Sequence, residues 1–367
     1  MIITVLFYSF VAFTAIQIIY YLVFSTFLFH NQKDQRKTYD IPVSVIICAK
    51  NEADNLKNFL PSIINQEHSD FEIVLINDAS SDETSTIMHA FKKENSNIKI
   101  IDVENIEAFW GNKKYALTLG IKAAKHNHLL FTDADCKPVS KNWISEMSKN
   151  FSDNKTIILG YGKYEKENSL INLLVRFETL ITAIQYFSYA KIGSPYMAVG
   201  RNLAYLKDEF FNVKGFINHM HIKSGDDDLF IQDAANKENT TICTSEKSFT
   251  VSKAPKSFSE WFRQKRRHIS TANHYKIKHQ FFLGTFFISK FFFYLLSTIL
   301  FFLYPWQFIL PIVFAYYLVQ YIVIGFSSSK LKEPTITYFL PFLEIGLLLF
   351  QLSIFITNLW SKPNHWK

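Results

Sequence analysis

Two carboxylates one residue apart, Asp133 and Asp135 in Phe131-Thr132-Asp133-Ala134-Asp135-Cys136, close the apolar run His128-Leu129-Leu130-Phe131. Alternate side chains of a strand share a face, so this spacing predicts two like charges on one side of a strand end. Such a pair repels itself unless a cation sits between its members. Mg²⁺ or Mn²⁺ held against a diphosphate is the natural occupant, because Mg²⁺ takes one or two protein carboxylates and fills its shell with phosphate oxygens and water. An acidic solvated turn has the same spelling, so the metal reading depends on what stands beside the pair.

What stands beside it is an alternation of strands and helices. Val43 to Ala49 is a nearly continuous apolar, β-branched run and reads as a buried parallel strand. A helix from about Asn55 to Asn65 follows, then a strand from Phe71 to Ile76 and a helix from Glu83 to Lys93. A strand from Ile98 to Val103, a helix from Lys113 to His126 and the strand before Asp133 complete the series. This is the spacing of βαβ units and predicts a parallel sheet covered on both faces. Ligands of such sheets bind beyond the carboxyl ends of the strands. The polar clusters Asn51-Glu52, Asn77-Asp78 and Asp133-Asp135 all fall there. No Gly-x-Gly-x-x-Gly follows the first strand and no P-loop is present, which disfavours dinucleotide-binding and P-loop folds.

The flanks of this soluble part are of another kind. Of the 367 residues 49% are hydrophobic and 37 are Phe, concentrated in Ile2 to Phe29, Phe281 to Leu303, Phe308 to Phe326 and about Ile336 to Trp360. Each run is long enough to cross a bilayer. The predicted organisation is a membrane helix in 1–30, a soluble domain in 38–255, a basic interfacial region in 256–280 and membrane helices in 281–360. Lys33, Arg36 and Lys37 follow the first run, and Arg263, Lys265, Arg266, Arg267, Lys276 and Lys278 precede the second, so the domain is expected in the cytoplasm. Lys362 and Lys367 favour the same side, which conflicts with a fourth full crossing. A re-entrant or surface-lying last helix removes the conflict. Leu170 to Ile192 reads either as a helix on the bilayer or as a core helix. The net charge of +7 comes mostly from these flanks and suits anionic lipid headgroups rather than nucleic acid. Cys48, Cys136 and Cys243 have no metal-ligand spacing and read as reduced thiols.

Val45 to Glu52 and Ile73 to Asp82 resemble the opening strands of family 2 glycosyltransferases. Gly111-Asn112-Lys113-Lys114-Tyr115-Ala116-Leu117 is similar to the family's Gly-Lys-x-x-Ala-Leu stretch with one residue inserted. Asp133-Ala134-Asp135 matches its Asp-x-Asp, and Gly225-Asp226-Asp227-Asp228-Leu229 stands where the family has an acidic box. Gln264-Lys265-Arg266-Arg267-His268 resembles its Gln-x-x-Arg-Trp, with His268 for the tryptophan, and Gly200-Arg201-Asn202-Leu203-Ala204 its acceptor-side stretch. The resemblance covers about residues 42 to 270. It implies an α/β GT-A fold with membrane helices, one N-terminal and two or three C-terminal. It implies an inverting, metal-dependent hexosyltransferase that uses a UDP- or GDP-sugar.

The site residues follow residue by residue. Asp133 and Asp135 would hold Mg²⁺ or Mn²⁺. Glu52 and Asp78 would face the nucleoside, Lys113 or Lys114 the phosphates with the other lysine solvated, and Gln264 and Arg267 the diphosphate. Gly200 and Asn202 would line the acceptor side. Asp226 is the family's base by its distance from Leu229, with Asp227 the second choice; crowding of Asp226, Asp227 and Asp228 should raise the pKa of at least one. The competing structural reading caps helices with Glu52, Asp78 or the acidic run, and Asp82 is the better cap. The membrane helices point to a lipid or lipid-linked acceptor, and one span before the domain with several after it resembles ceramide glucosyltransferase-like enzymes and bacterial lipid glycosyltransferases, which implies a single transfer in the inner membrane of a bacterium. A processive polysaccharide synthase, a catalytically silent nucleotide-sugar-binding scaffold and a nucleotidyltransferase are the alternatives.

Overall fold

The computed structural model describes residues 1–30, 41–104, 113–222 and 224–361. The basic residues Lys33, Arg36, Lys37, Lys362 and Lys367, and the Gly111-Asn112 opening of the lysine motif, lie outside the described residues. In chain order the helices are α1 (Ile2–Phe24), α2 (Ala53–Ile64), α3 (Thr84–Glu94), α4 (Lys113–Ala123), α5 (Trp143–Ser148), α6 (Leu170–Lys191), α7 (Lys207–Asn212), α8 (Asp228–Ala234), α9 (Phe258–Ala272), α10 (Ile277–Leu303), α11 (Trp306–Lys330) and α12 (Leu340–Trp360). The strands are β1 (Val43–Ala49), β2 (Phe71–Asp78), β3 (Ile98–Val103), β4 (His128–Asp133), β5 (Cys136–Pro138), β6 (Ile157–Leu159), β7 (Gly162–Tyr164), β8 (Leu203–Leu206), β9 (Thr240–Ile242) and β10 (Thr250–Ser252).

Seven strands form the main sheet in the order β3-β2-β1-β4-β8-β6-β9, and β5, β10 and β7 form a small second sheet. β1 runs parallel to β2 and β4, with Ala49 opposite Asn77 and Cys48 opposite Asp133. That register brings the polar ends of three strands to one edge. The β-branched runs pack both faces of the sheet. Val43, Val45 and Ile47 pack with Leu56, Leu60 and Ile63 of α2, while Ile46, Val74 and Ile76 point to the opposite face, towards α4. Burial of each such side chain stabilises the fold by roughly 1.5–3 kcal/mol. The α4-side core continues without a break into α6 and the long terminal helices.

Among the described residues, five segments are long and apolar enough to cross a membrane: Ile2–Phe29, Leu170–Lys191, Ile277–Leu303, Trp306–Lys330 and Pro334–Trp360. Leu170–Lys191 is the odd one, with 67% of its window buried inside the protein against 17–33% for the others. Of the two readings of this segment, the structure has the core helix. α1 packs against α10 through Phe13 on Phe292 and Phe10 on Phe293, and Gln17 donates to the Phe286 carbonyl and to Ser289 Oγ.

Candidate active site

The site is built on the edge where β1, β2 and β4 end. The turns there are tight: Asn51 (φ 56°) and Ala79 (φ 47°) are both left-handed, a conformation that non-glycine residues rarely adopt. The two turns hold each other. Asn51 N donates to Ser80 Oγ, and Ser81 N donates to Asn51 Oδ1. Asp82 accepts from Thr84 N and Ala53 N, and so ties the starts of α2 and α3 together. Asn77 makes the local turn by accepting from Ser80 N. Asp78, buried, is left to Lys50, whose Nζ lies 3.7 Å from its Oδ2. Glu52 accepts from Asn55 Nδ2 at 2.6 Å. Burial, with Asp135 and Asp133 nearby, raises its carboxyl above the ordinary range.

The centre of the site is Lys113. Its Nζ lies 2.9 Å from Asp133 Oδ1 and 3.1 Å from Asp226 Oδ2. Burial alone would weaken this ammonium, but the two carboxylates raise its pKa well above that of an ordinary lysine. Asp133, Lys113, Gly200, Asp226 and Asp227 line one cavity, floored by Ile46, Leu117, Phe131 and Tyr205. Lys114, the other candidate for the phosphates, is 1% exposed and donates to the carbonyls of His219 and Ile222. The expectation that whichever lysine did not face the phosphates would be solvated is therefore corrected. One helical step turns Lys114 towards the loop that leads to the acidic run, and it anchors that loop.

The three aspartates of the run separate by partner. Gly225 (φ +78°) turns the chain into α8, and Asp227 caps that helix by accepting from Asp228 N at 2.8 Å. Its second oxygen accepts from Gly200 N at 2.7 Å. Asp228 turns to Tyr275, whose hydroxyl donates to it at 2.6 Å. Burial and the neighbouring carboxylate push Asp227 up to about 6 and Asp228 well above the usual value. The crowding argument holds for these two. Burial acts upwards on Asp226 as well, but Lys113 outweighs it and holds that carboxyl below the usual range.

Asp133 and Asp135 bring oxygen ligands, together with Cys136 Sγ, within 4.8 Å of one another. Loss of hydration and the charge of Asp133 raise the Asp135 carboxyl. Cys136 donates its S–H to Asp135 at 3.3 Å, and burial beside both aspartates keeps it a thiol. A pair of hard oxygen donors with surplus negative charge fits Mg²⁺ or Mn²⁺.

Two predicted residues sit on α9. Gln264 Oε1 is buried and has no hydrogen-bond partner among the described residues. Arg267 feels the charges of Asp226 and Asp133. The basic residues between them are not the headgroup anchors that their composition suggests. Lys265 pairs with Glu178 of α6 at 2.6 Å, and Arg266 Nε donates to Asn358 at 2.8 Å; Arg263 remains exposed. Asn202 is also corrected. It is 0% exposed and fully occupied: Nδ2 donates to the carbonyls of Tyr161 and Ser248, and Oδ1 accepts from Trp143 Nε1. It locks the sheet behind the cleft rather than facing it. Its neighbour Arg201 was missed. The guanidinium lies 4.4 Å over the Tyr164 ring, donates to the Gly162 carbonyl and adds positive charge near Asp135. The sequence signal was its place between the two residues already singled out.

Residues 44–210 match the model described as Glycosyl transferase family 2. This segment is a family 2 glycosyltransferase domain. Poly-beta-1,6-N-acetyl-D-glucosamine synthase of Staphylococcus epidermidis is 30% identical over 159 residues, which cover 40% of this chain and 37% of that protein. The uncharacterized glycosyltransferase EpsJ of Bacillus subtilis is 29% identical over 126 residues, 34% of this chain and 35% of EpsJ. The chain thus spans little more than a third of the length of the curated relatives it matches. Among solved structures, the mannosyltransferase PcManGT from Pyrobaculum calidifontis, in complex with GDP-Man and Mn²⁺, is similar in fold. Its TM-score is 0.63 at 15% identity, with 99% of this chain and 100% of that chain covered. The fold of the family 2 domain is therefore the mixed α/β GT-A fold, joined to long apolar helices at both ends of the chain.

Proposed function

We propose that this protein is a metal-dependent, inverting hexosyltransferase of a bacterial inner membrane. It transfers one sugar from a UDP- or GDP-sugar to a hydroxyl of a lipid or lipid-linked acceptor. In this reading residues 38–255 are the catalytic unit on the cytoplasmic face, 256–280 the basic interfacial region, and 1–30 and 281–360 the membrane part. The observation that carries it is that one ammonium, Lys113, holds both the strand-end Asp133 and the distant Asp226.

Glu52, Asp78 and Lys50 receive the nucleoside at the ends of β1 and β2. Asp133 and Asp135 would hold the divalent cation, which supplies positive charge to the departing diphosphate. Lys113, Arg267 and the Gln264 amide N–H bind the same diphosphate; the unmatched Gln264 oxygen, an acceptor, calls for a hydroxyl donor of the ligand beside it, because buried polar atoms are rarely left unpaired. Asp226 takes the proton of the acceptor hydroxyl on its carboxylate. It qualifies over Asp227 because both Asp227 oxygens already accept backbone N–H bonds. Gly200 admits the acceptor closely, since a Cβ there would lie 3.3 Å from Asp227 Oδ2.

A processive synthase is the second reading, favoured by the name of the Staphylococcus epidermidis relative. One experiment separates the two. Purified protein in lipid nanodiscs receives radiolabelled UDP- and GDP-sugars with Mg²⁺ or Mn²⁺. Label in the lipid phase at one sugar per acceptor supports the proposal; long polymer supports the synthase; turnover of no donor sinks both.

A further inference from the structure

The proposed reaction leaves unused a polar cluster inside the apolar helix bundle. Glu344, near the start of α12, is 1% exposed and lies 2.6 Å from Lys290 Nζ of α10. Three tyrosines donate to it: Tyr21 of α1 at 2.8 Å, Tyr294 of α10 at 2.6 Å and Tyr316 of α11 at 2.9 Å. Gln320 of α11 donates in turn to the Tyr21 hydroxyl. Every long terminal helix contributes. Ionisable groups in such surroundings are costly, and they mark function or register when they are retained. The best-attested role of a buried ion pair is to fix one register of packing, and here the element being fixed is α12.

The course of α12 is the second observation. Just before it, Glu333 pairs with Arg176 of α6, and Lys330 donates to the carbonyls of Leu28 and His30 at the domain end of α1. Gly346 then abuts Leu174 of α6. Phe350 stacks on Trp261 of α9 with ring centroids 3.7 Å apart. At the far end Asn358 and Ser361 accept from Arg266 of α9 at 2.8 Å. A 21-residue helix measures about 32 Å, enough to cross a bilayer, yet the chain that leads into this one, at Lys330 and Glu333, and its far end, at Asn358 and Ser361, both meet elements of the domain side.

We infer that α12 is not a crossing helix but a strap lying along α6 and α9 on the domain side of the bundle. Glu344 and Lys290 are the positioning residues that pin it. Through Phe350 on Trp261 and Arg266 on Asn358, the strap sets the α9 face that carries Gln264 and Arg267 to the cleft. The topological part is independent of the proposed function; the kinetic part rests on it.

The topology is tested in vesicles of known orientation with the full chain bearing a protease-cleavable C-terminal tag and Lys93→Cys as a domain marker. Vesicles whose marker reacts with an impermeant maleimide should also lose the tag to added protease. Tag loss only from vesicles of opposite orientation overturns the strap. The kinetic part uses Glu344→Ala, the charge swap Glu344→Lys with Lys290→Glu, and Phe350→Ala, which uncouples the strap at its other contact. The donor KM should rise about tenfold in Glu344→Ala and Phe350→Ala with the acceptor KM unchanged, and the swap should recover most of it. A proportional loss of kcat with folded protein and an unchanged donor KM would assign Glu344 to stability alone. If Glu344→Ala fails to fold, Phe350→Ala decides. Absence of wild-type turnover would defeat the proposed function and leave the strap standing.

Discussion

Lys113 and Lys290 both face carboxylates, and their surroundings differ in one respect. Lys290 faces Glu344 in a cluster completed by three tyrosine hydroxyls. Lys113 faces Asp133 and Asp226, with Asp135, Asp227 and Glu52 close by. The first cluster has one cation for one anion and hydrogen bonds to spare. The second has more carboxylates than its lysine can neutralise. A satisfied cluster rigidifies, whereas an unsatisfied one binds. In the proposed reading, the difference separates the group that holds the helices from the group that would take a cation and a diphosphate.

The sharpest way to break this comparison is to remove the charge surplus. Asp135→Ala leaves Asp133 with Lys113 and takes away half of the oxygen pair. Donor turnover should fall by at least about 10³-fold, while expression and membrane insertion stay at wild-type levels. Calorimetry with Mn²⁺ and a nucleotide sugar should show no metal-promoted binding. Retained metal-dependent turnover would move the metal away from this strand end.

Asp226→Asn should come next. The side chain keeps its shape but cannot take a proton, so transfer should drop by about 10²–10⁴-fold. Donor binding, read by nucleotide-sugar displacement, should stay within a factor of a few. Normal transfer in this variant would place the base at Asp227.

The parallel half of the sheet was legible because Val43–Ala49, Phe71–Asp78 and Ile98–Val103 are apolar, β-branched runs bounded by polar turns. The site edge was legible for the same reason, since the polar clusters mark where those runs stop. The strands β5, β7, β9 and β10 have three residues each, too few to show a period. Partner choice was not legible either. Asp226, Asp227 and Asp228 read alike in the chain, and their different states come from Lys113, Gly200 and Tyr275, all distant in sequence. Asn202 resembles an acceptor-side residue, and only the fold shows Trp143 against it. The terminal lysines Lys362 and Lys367 raised a re-entrant or surface-lying last helix, but the contacts of α12 with Trp261 and Arg266 of α9 were not legible, because composition measures length and hydropathy, not partners.

The pH profile of transfer sharpens the assignment of the base. A carboxylate base works only when ionised, so activity falls as pH drops through its pKa. Lys113 keeps Asp226 below the usual range, and Asp227 is pushed up to about 6. With Asp226 as base, kcat/KM should show no acid limb near pH 6 and should stay level to about pH 5 by the usual carboxylate reference. A limb centred near 6 would favour Asp227.

The smallest expected effect lies in stability, and its sign follows from the same aspartate. The folded-state value of Asp227, about 6, stands above its ordinary 3.8 because burial and Asp226 oppose its ionisation. The native state therefore holds this proton more tightly than the unfolded chain does. The stabilisation is fully present below the unfolded value and is lost as pH rises through about 6. Asp227→Asn cannot ionise, so the melting temperature of the wild type relative to this variant should decline between pH 4 and pH 7 by a few degrees at most. The two backbone N–H groups that Asp227 accepts, from Gly200 and Asp228, favour its ionised form and so temper that decline without reversing it. A difference that does not change with pH would mean that Asp227 is ionised throughout. The contrast within the acidic run, one aspartate held down by a lysine and its neighbour pushed up by burial, would then fail.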